Sequence, residues 1–444
     1  MEKITRRKFI GTLGAGVAAM SLGSACSSKQ EEEKTEIEGT MTYREGPRGD
    51  KVSILGYGAM RFPNVVPTDF SSDLDQDTIN ELVDYALEHG VNYFDTAPVY
   101  SRARSETAVG IALSRHPRSS YFVATKLSNF NDPSREASMN MYQNSFKSLQ
   151  TDHIDYYLLH AIGDDYAGFD RRFVENGMLE FLLKEREAGR IRNLGFSFHG
   201  SPAAFEKYVN MNGQYHWDFV QIQMNYQDWN HSDECNASYM YGELVKRKIP
   251  VVIMEPLLGG GLSKLPLPLS KALRQRDPER SVASWAFRFV GSYPGVLTVL
   301  SGMTYMAHLK DNLKSFSPLV PLTEEEKNFL FDIAYKKKNY DFVPCTTCQY
   351  CMPCPYGINI PGIFSHYNSA VIADCVPLNN QEPGYAKARR QFLKSYLKEI
   401  EYDRAADHCI GCGTCLSKCP QKIKIPERLR KISDYVEKLR RENW

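Results

Sequence analysis

Neither sign of charge is in excess in this chain: Lys and Arg number 54 against 53 Asp and Glu, a net charge of +1 over 444 residues. Without a basic surplus, nothing steers it toward nucleic acid. It has no run of about 20 strongly apolar residues, the length a membrane-spanning helix needs. A phosphate-binding glycine turn after the first strand is missing, which argues against a doubly wound nucleotide-binding sheet. Gly11, Gly14 and Gly16 have suggestive spacing but sit in an N-terminal targeting segment, and Gly259-Gly260-Gly261 lacks the fingerprint spacing. No flavin-binding fingerprint is present either. Cysteine is scarce outside two places: of eleven, only Cys26, Cys235 and Cys375 fall outside 345–354 and 409–419. Such crowding excludes a disulfide scaffold and points to metal ligation.

The length allows two or three units around a sizeable core. Thr5-Arg6-Arg7-Lys8-Phe9-Ile10 opens a Gly/Ala-rich stretch ending near Gly23, and this resembles a twin-arginine export signal. Leu22-Gly23-Ser24-Ala25 before Cys26 looks like a lipoprotein cleavage site, with glycine where a large aliphatic residue normally stands. The expectation is therefore an exported protein, either soluble in the periplasm or anchored to the membrane by lipid at Cys26. The polar residues 27–38 would form a solvated tether. We expect a signal over 1–26, a linker over 27–45, a barrel over 46–320 and an iron-sulfur domain over 321–444.

Between residues 51 and 316, β-branched or aromatic runs at 52–55, 91–95, 121–125, 154–159, 191–197, 219–223, 251–254 and 296–300 alternate with amphipathic stretches such as 77–89, 139–149 and 281–290. Eight strand-helix units predict an α/β fold, a (β/α)8 TIM barrel. Thr323 with Glu326 forms a capping-box pattern opening a helix over 323–337, and 385–400 reads as a basic amphipathic helix. The C-terminal domain is thus expected to be small and mainly helical.

Cys409-x2-Cys412-x2-Cys415-x3-Cys419-Pro420 has the full spacing of a bacterial ferredoxin [4Fe-4S] run. Its fourth cysteine is expected to serve the other cluster. On that logic Cys354 joins Cys409, Cys412 and Cys415, while Cys419 joins Cys345, Cys348 and Cys351. The first run departs from the pattern, with only Met352 and Pro353 between its last two cysteines.

Three barrel strands end in ionisable residues, Asp95, Lys126 and His160, which would meet at the C-terminal mouth, the face where barrel enzymes keep their active sites. Tyr100 follows Asp95 by five residues. The set suits a proton donor for a carbonyl: a tyrosine whose pKa is lowered by Lys126, with Asp95 holding the lysine and His160 orienting the substrate oxygen.

These residues carry a resemblance. Leu55-Gly56-Tyr57-Gly58-Ala59-Met60, Phe94-Asp95-Thr96-Ala97-Pro98-Val99-Tyr100, Leu149-Gln150-Thr151-Asp152-His153-Ile154-Asp155 and Gly189-Arg190-Ile191-Arg192-Asn193-Leu194-Gly195-Phe196-Ser197 are similar to stretches of the aldo/keto reductases. The resemblance implies that Asp95, Tyr100, Lys126 and His160 are a catalytic tetrad with Tyr100 as acid. It implies hydride transfer between a nicotinamide, NAD or NADP, and a carbonyl or alcohol substrate. Gly58, Ser197, Gln221, Pro256, Leu257, Ser301, Asp311 and Asn312 fall where similar enzymes contact that cofactor. Phe198, Met254, Glu255 and Gly302 depart from the pattern there, as does His308. A subset of such reductases is similar in carrying a C-terminal ferredoxin-like domain, so two [4Fe-4S] clusters and a redox partner protein are expected. The alternative is an electron-transfer protein whose barrel only docks.

Overall fold

Alternate residues of a strand face opposite sides of a sheet, and in a barrel one parity points at the axis. The computed structural model of the chain describes residues 39–67, 72–230, 236–377, 380–381 and 383–442. The stretch expected to direct export, with Arg6, Arg7 and Cys26, and Cys235, lie outside them. Two short strands, β1 (Tyr43–Glu45) and β2 (Lys51–Ser53), pair antiparallel. Eight further strands follow: β3 (Leu55–Gly58), β4 (Tyr93–Asp95), β5 (Phe122–Leu127), β6 (Ile154–Ile162), β7 (Ile191–Phe198), β8 (Phe219–Gln223), β9 (Val251–Met254) and β10 (Val296–Ser301). They close into a parallel barrel in the order β10-β3-β4-β5-β6-β7-β8-β9.

The expected first strand, 52–55, straddles two elements. Val52 belongs to the β1–β2 hairpin and is buried with the inward-facing Tyr93, Ala124, Tyr156, Leu158 and Phe219, so it fills the barrel's end rather than its wall. Parity then places the chemistry. Tyr93 and Asp95, Ala124 and Lys126, Tyr156 with Leu158 and His160 alternate on single faces, so the ionisable residues stand one layer beyond the apolar filling. Helices such as Gln76–Glu88, Arg135–Leu149 and Val282–Gly291 cover the outside. Helix Glu324–Lys337 has the anticipated capping box, and its Leu330, Ile333 and Ala334 pack into the same core as the barrel.

A second core begins at Val343. Helices Ile360–Ile372, Tyr385–Glu399 and Ile425–Arg441 bury Ile363, Phe364, Phe392, Leu429 and Val436 against one another. Their loops carry the cysteine runs, and these loops rest on the barrel's C-terminal mouth. Arg61, after β3, donates to Thr347 Oγ1 at 2.9 Å and to the Thr346 carbonyl. Gln421 donates to Gln223 Oε1 at 3.1 Å, and Lys422 pairs with Asp164 at 2.9 Å. Gly259 explains the glycine run after β9: its φ is +64°, and a Cβ there would stand 2.5 Å from the Thr346 carbonyl oxygen. That run serves a close approach between the two parts of the chain, where only glycine fits.

Candidate active site and iron-sulfur ligands

Lys126 is fully buried and its Nζ lies 2.6 Å from Asp95 Oδ1, itself 3% exposed. The same ammonium donates to the Thr96 carbonyl at 2.8 Å. Burial pushes the Asp95 carboxyl up and the Lys126 ammonium down, each against the opposing pull of the other. Behind them sits Glu106, buried in helix Ser105–Leu113 and held by Thr125 Oγ1 at 2.6 Å. Its charge acts on Lys126 as well, and nothing in its sequence neighbourhood marks it.

Tyr100 joins the group from the loop. Its ring lies with Lys126 Nζ 5.0 Å from the centroid and His160 edge-on at 5.9 Å. Ser101, Arg102 and Ala103 follow it with φ of +49°, +57° and +61°, a left-handed turn costing roughly 1–2 kcal/mol per residue. Arg104 Nε clasps the turn by donating to the Ser101 carbonyl at 3.0 Å. The expected lowering of the Tyr100 pKa is not what the structure gives. Burial raises it well above the usual phenol value, with Tyr350, Asp95 and Glu255 adding to the rise. Burial outweighs the Lys126 cation beside its ring, so Tyr100 stays a protonated phenol.

His160 Nδ1 shares a hydrogen with Ser128 Oγ at 2.6 Å. Burial, then the Lys126 and Arg172 cations, hold its pKa well below the ordinary histidine value. It is therefore neutral at neutral pH, able to donate a hydrogen bond without carrying charge. Phe130 leans on its ring at 5.1 Å.

The residues expected at a nicotinamide divide in two. Gln221 is buried on β8 and its Oε1 has no partner among the described residues, an orphan acceptor that a carboxamide N–H would satisfy. Ser197 lies beside it on the next strand, its Oγ accepting from the Ala161 amide at 2.8 Å. Gly58 and Ser301 face each other at the ends of β3 and β10; Ser301 accepts from Asn312 at 2.8 Å, and Asp311 accepts from Ser281 at 2.7 Å. At the phosphate end the cysteine loop comes close to the turn after β9. Pro256 and Leu257 enter the turn that carries Gly259 against Thr346, and burial pushes the neighbouring Glu255 carboxyl up against the opposing pull of the Arg61 cation. The amide end thus fits a nicotinamide, and at the phosphate end Gly259 stands against Thr346 of the cysteine loop.

The cysteines fall into two neighbourhoods that share Cys351. Cys354, Cys409, Cys412 and Cys415 line one cavity together with Cys351. Cys345 and Cys351 each feel Cys348 and Cys419, and burial lifts them to about 11 and about 12. Among the described residues no three His, Cys, Asp or Glu could hold a single metal ion. Eight thiols gathered in this way suit [4Fe-4S] clusters, whose irons take one thiolate each. Cys375 stands apart, its Sγ donating to the Ala373 carbonyl at 3.3 Å.

Sequence reasoning missed Tyr350, Glu106, Ser128 and Arg61, whose partners are distant in the chain.

Comparison with known proteins agrees with this division. Residues 54–330 match the aldo/keto reductase family and residues 344–424 match the 4Fe-4S dicluster domain. The uncharacterized oxidoreductase YqkF of Bacillus subtilis is 26% identical over 275 residues, which cover 55% of this chain and 84% of YqkF. L-galactose dehydrogenase of Arabidopsis thaliana is 31% identical over 169 residues, 37% of this chain and only 50% of that protein. Among solved structures, the holo form of aldo-keto reductase AKR11C1 from Bacillus halodurans superposes with a TM-score of 0.54 at 25% identity, covering 66% of this chain and 96% of that one.

Proposed function

Because the chain belongs to the aldo/keto reductase family and carries a 4Fe-4S dicluster domain, we propose that it is an exported reductase of carbonyl compounds whose clusters exchange electrons with an outside partner. The observation that carries the chemistry is the buried set of Lys126, Asp95, Tyr100 and neutral His160. When bound, a nicotinamide supplies the hydride. Tyr100 gives its phenol proton to the carbonyl oxygen, and the Lys126 ammonium stabilises the phenolate left behind. Asp95 keeps Lys126 in place. His160, uncharged, donates a hydrogen bond that fixes the oxygen between imidazole and phenol. Gln221 and Ser197 would hold the carboxamide.

The cysteine loop lying against Gly259, beside the residues expected at the phosphates, supports a cofactor that is retained or exchanged slowly, NAD or NADP alike. Exchange with a cytoplasmic pool is lost to any exported enzyme, so a retained cofactor needs another source of electrons. Two clusters, {Cys345, Cys348, Cys351, Cys419} and {Cys354, Cys409, Cys412, Cys415}, supply one in this reading, the second opening to solvent at the exposed Cys412.

One fractionation experiment tests location and chemistry together. Cells making the full chain, or its Arg6→Lys/Arg7→Lys variant, are separated into cytoplasmic and exported fractions. Each fraction is assayed for benzaldehyde reduction to benzyl alcohol with NADPH or reduced methyl viologen. The expected activity is exported for the parent chain and cytoplasmic for the variant, since the paired arginines are what the transport machinery reads. Export of both forms removes the twin-arginine reading. Activity in no fraction removes the reductase reading and leaves an electron-transfer protein.

A further inference from the structure

His160 stands on an irregular strand. Leu159 of β6 lies opposite Phe196 of β7 and Ile162 opposite Phe198, so His160 and Ala161 together face Ser197 alone. Two residues against one make a β-bulge, a device that re-aims a side chain and breaks the regular ladder. Ala161 carries the distortion with a φ of +51°, a region that residues other than glycine rarely enter. Its amide is held by Ser197 Oγ at 2.8 Å.

The carbonyls of the bulge are held by one side chain from the turn after β6. Arg172, in the π-helical turn Asp170–Val174, donates from Nη2 to the His160 carbonyl at 2.6 Å and from Nη1 to that of Ala161 at a longer 3.5 Å. Its Nε donates to Asn129 Oδ1 at 3.2 Å, and Asn129 Nδ2 donates back to the Arg172 carbonyl at 2.8 Å. Its guanidinium carbon lies 4.5 Å from the centroids of both the Phe130 and the Phe173 rings. Phe130 is the ring that leans on His160, and Ser128 is the hydroxyl on Nδ1. Three consecutive residues after β5, Ser128, Asn129 and Phe130, thus serve His160 directly or through Arg172.

The choice of arginine follows from this geometry. A planar fork can hold two carbonyls and an amide oxygen at once and still lie between two rings, which a lysine ammonium cannot do. With Ser128 on Nδ1, the other ring nitrogen is left for the substrate oxygen. An imidazole displaced by about 1 Å would lose the alignment on which that hydrogen bond depends, and a strained bulge without its clamp is free to relax.

We propose that Arg172 is a positioning residue for His160: its guanidinium holds the β6 bulge in the shape that presents the imidazole to the carbonyl oxygen. This rests on the reductase reading with His160 at that oxygen. Arg172 acts through His160 and is not asked to touch substrate.

The test combines a double-mutant cycle with chemical rescue on the full, cluster-containing chain, with benzaldehyde as probe and iron content and unfolding measured for every form. Arg172→Ala is expected to lower kcat about 100-fold, the scale of a misplaced active-site group, with KM and iron content unchanged. Guanidinium at millimolar concentration is expected to raise that kcat about ten-fold by refilling the vacated site, whereas methylammonium is not. In a His160→Gln background neither Arg172→Ala nor added guanidinium should change kcat further, because the effect acts through the missing imidazole. Full kcat in Arg172→Ala overturns the proposal. So does an equal loss in both backgrounds, or a loss that guanidinium does not relieve, since Arg172 would then serve packing alone. Should Arg172→Ala unfold or lose its iron, Arg172→Lys takes its place: a folded chain with kcat lowered about ten-fold supports the proposal, and full kcat overturns it. If His160→Gln is as active as the parent, or the parent shows no turnover, the reductase reading fails first, and those two measurements tell the failures apart.

Discussion

Tyr100→Phe is expected to lower carbonyl reduction by about 10²- to 10⁴-fold, the usual contribution of a positioned general acid, while iron content and thermal unfolding stay close to those of the parent. The structure supports a selective effect. Phenylalanine fills the same space beside Lys126 and His160, and the ring contacts at 5.0 and 5.9 Å need no hydroxyl. Only the proton is lost. Steady-state kcat with benzaldehyde checks it, and a variant within three-fold of the parent would remove Tyr100 from the mechanism. The raised pKa of Tyr100 adds a sign. The phenol remains protonated through neutral pH, so reduction should show no loss of the acid between about pH 6 and 8, where an ordinary tyrosine is also protonated.

Lys126→Met carries the second large effect, on stability as well as rate. Asp95 and Lys126 form a buried pair at 2.6 Å, and burial pushes each toward its neutral form. For Asp95, a raised folded-state pKa means that stability is present below the unfolded pKa and lost as pH rises through the folded one. For Lys126, a lowered pKa means stability lost as pH falls through the folded value. Between those limits, around neutrality, both charges weigh against folding and are tolerated only because they face each other. Removing the lysine leaves Asp95 uncompensated, with Oδ2 already lacking a partner. The expected cost is about 3–5 kcal/mol, read by denaturant unfolding. Asp95→Asn combined with Lys126→Met should recover most of that stability and none of the activity, since nothing then stabilises the phenolate of Tyr100. A single variant as stable as the parent would show that the pair is not charged in the folded protein.

Much of this was legible along the chain because it is local. Strand ends, parity and the spacing of Cys409, Cys412, Cys415 and Cys419 are short-range patterns, and they suffice to bring Asp95, Lys126 and His160 to one mouth and Cys354 into the cavity with Cys409. The first strand was misjudged because Val52 has the composition of a wall residue while filling the barrel's end. The pKa of Tyr100 was misjudged in sign: a lysine near a tyrosine can be read from strand ends, but how deeply both are buried cannot.

The central claim is that the barrel keeps its nicotinamide under the cysteine loop and trades electrons through the clusters. Anaerobically purified, mature protein answers it directly: released nucleotide is assayed after denaturation, and the broad cluster absorbance near 400 nm is followed on adding NADH or NADPH. We expect nucleotide to be released on denaturation, slow exchange with added cofactor, and bleaching of the clusters as electrons reach them. Protein that arrives empty, binds NADPH rapidly and reversibly, and reduces benzaldehyde with its cluster absorbance unchanged would contradict the account and leave the clusters a purely structural part.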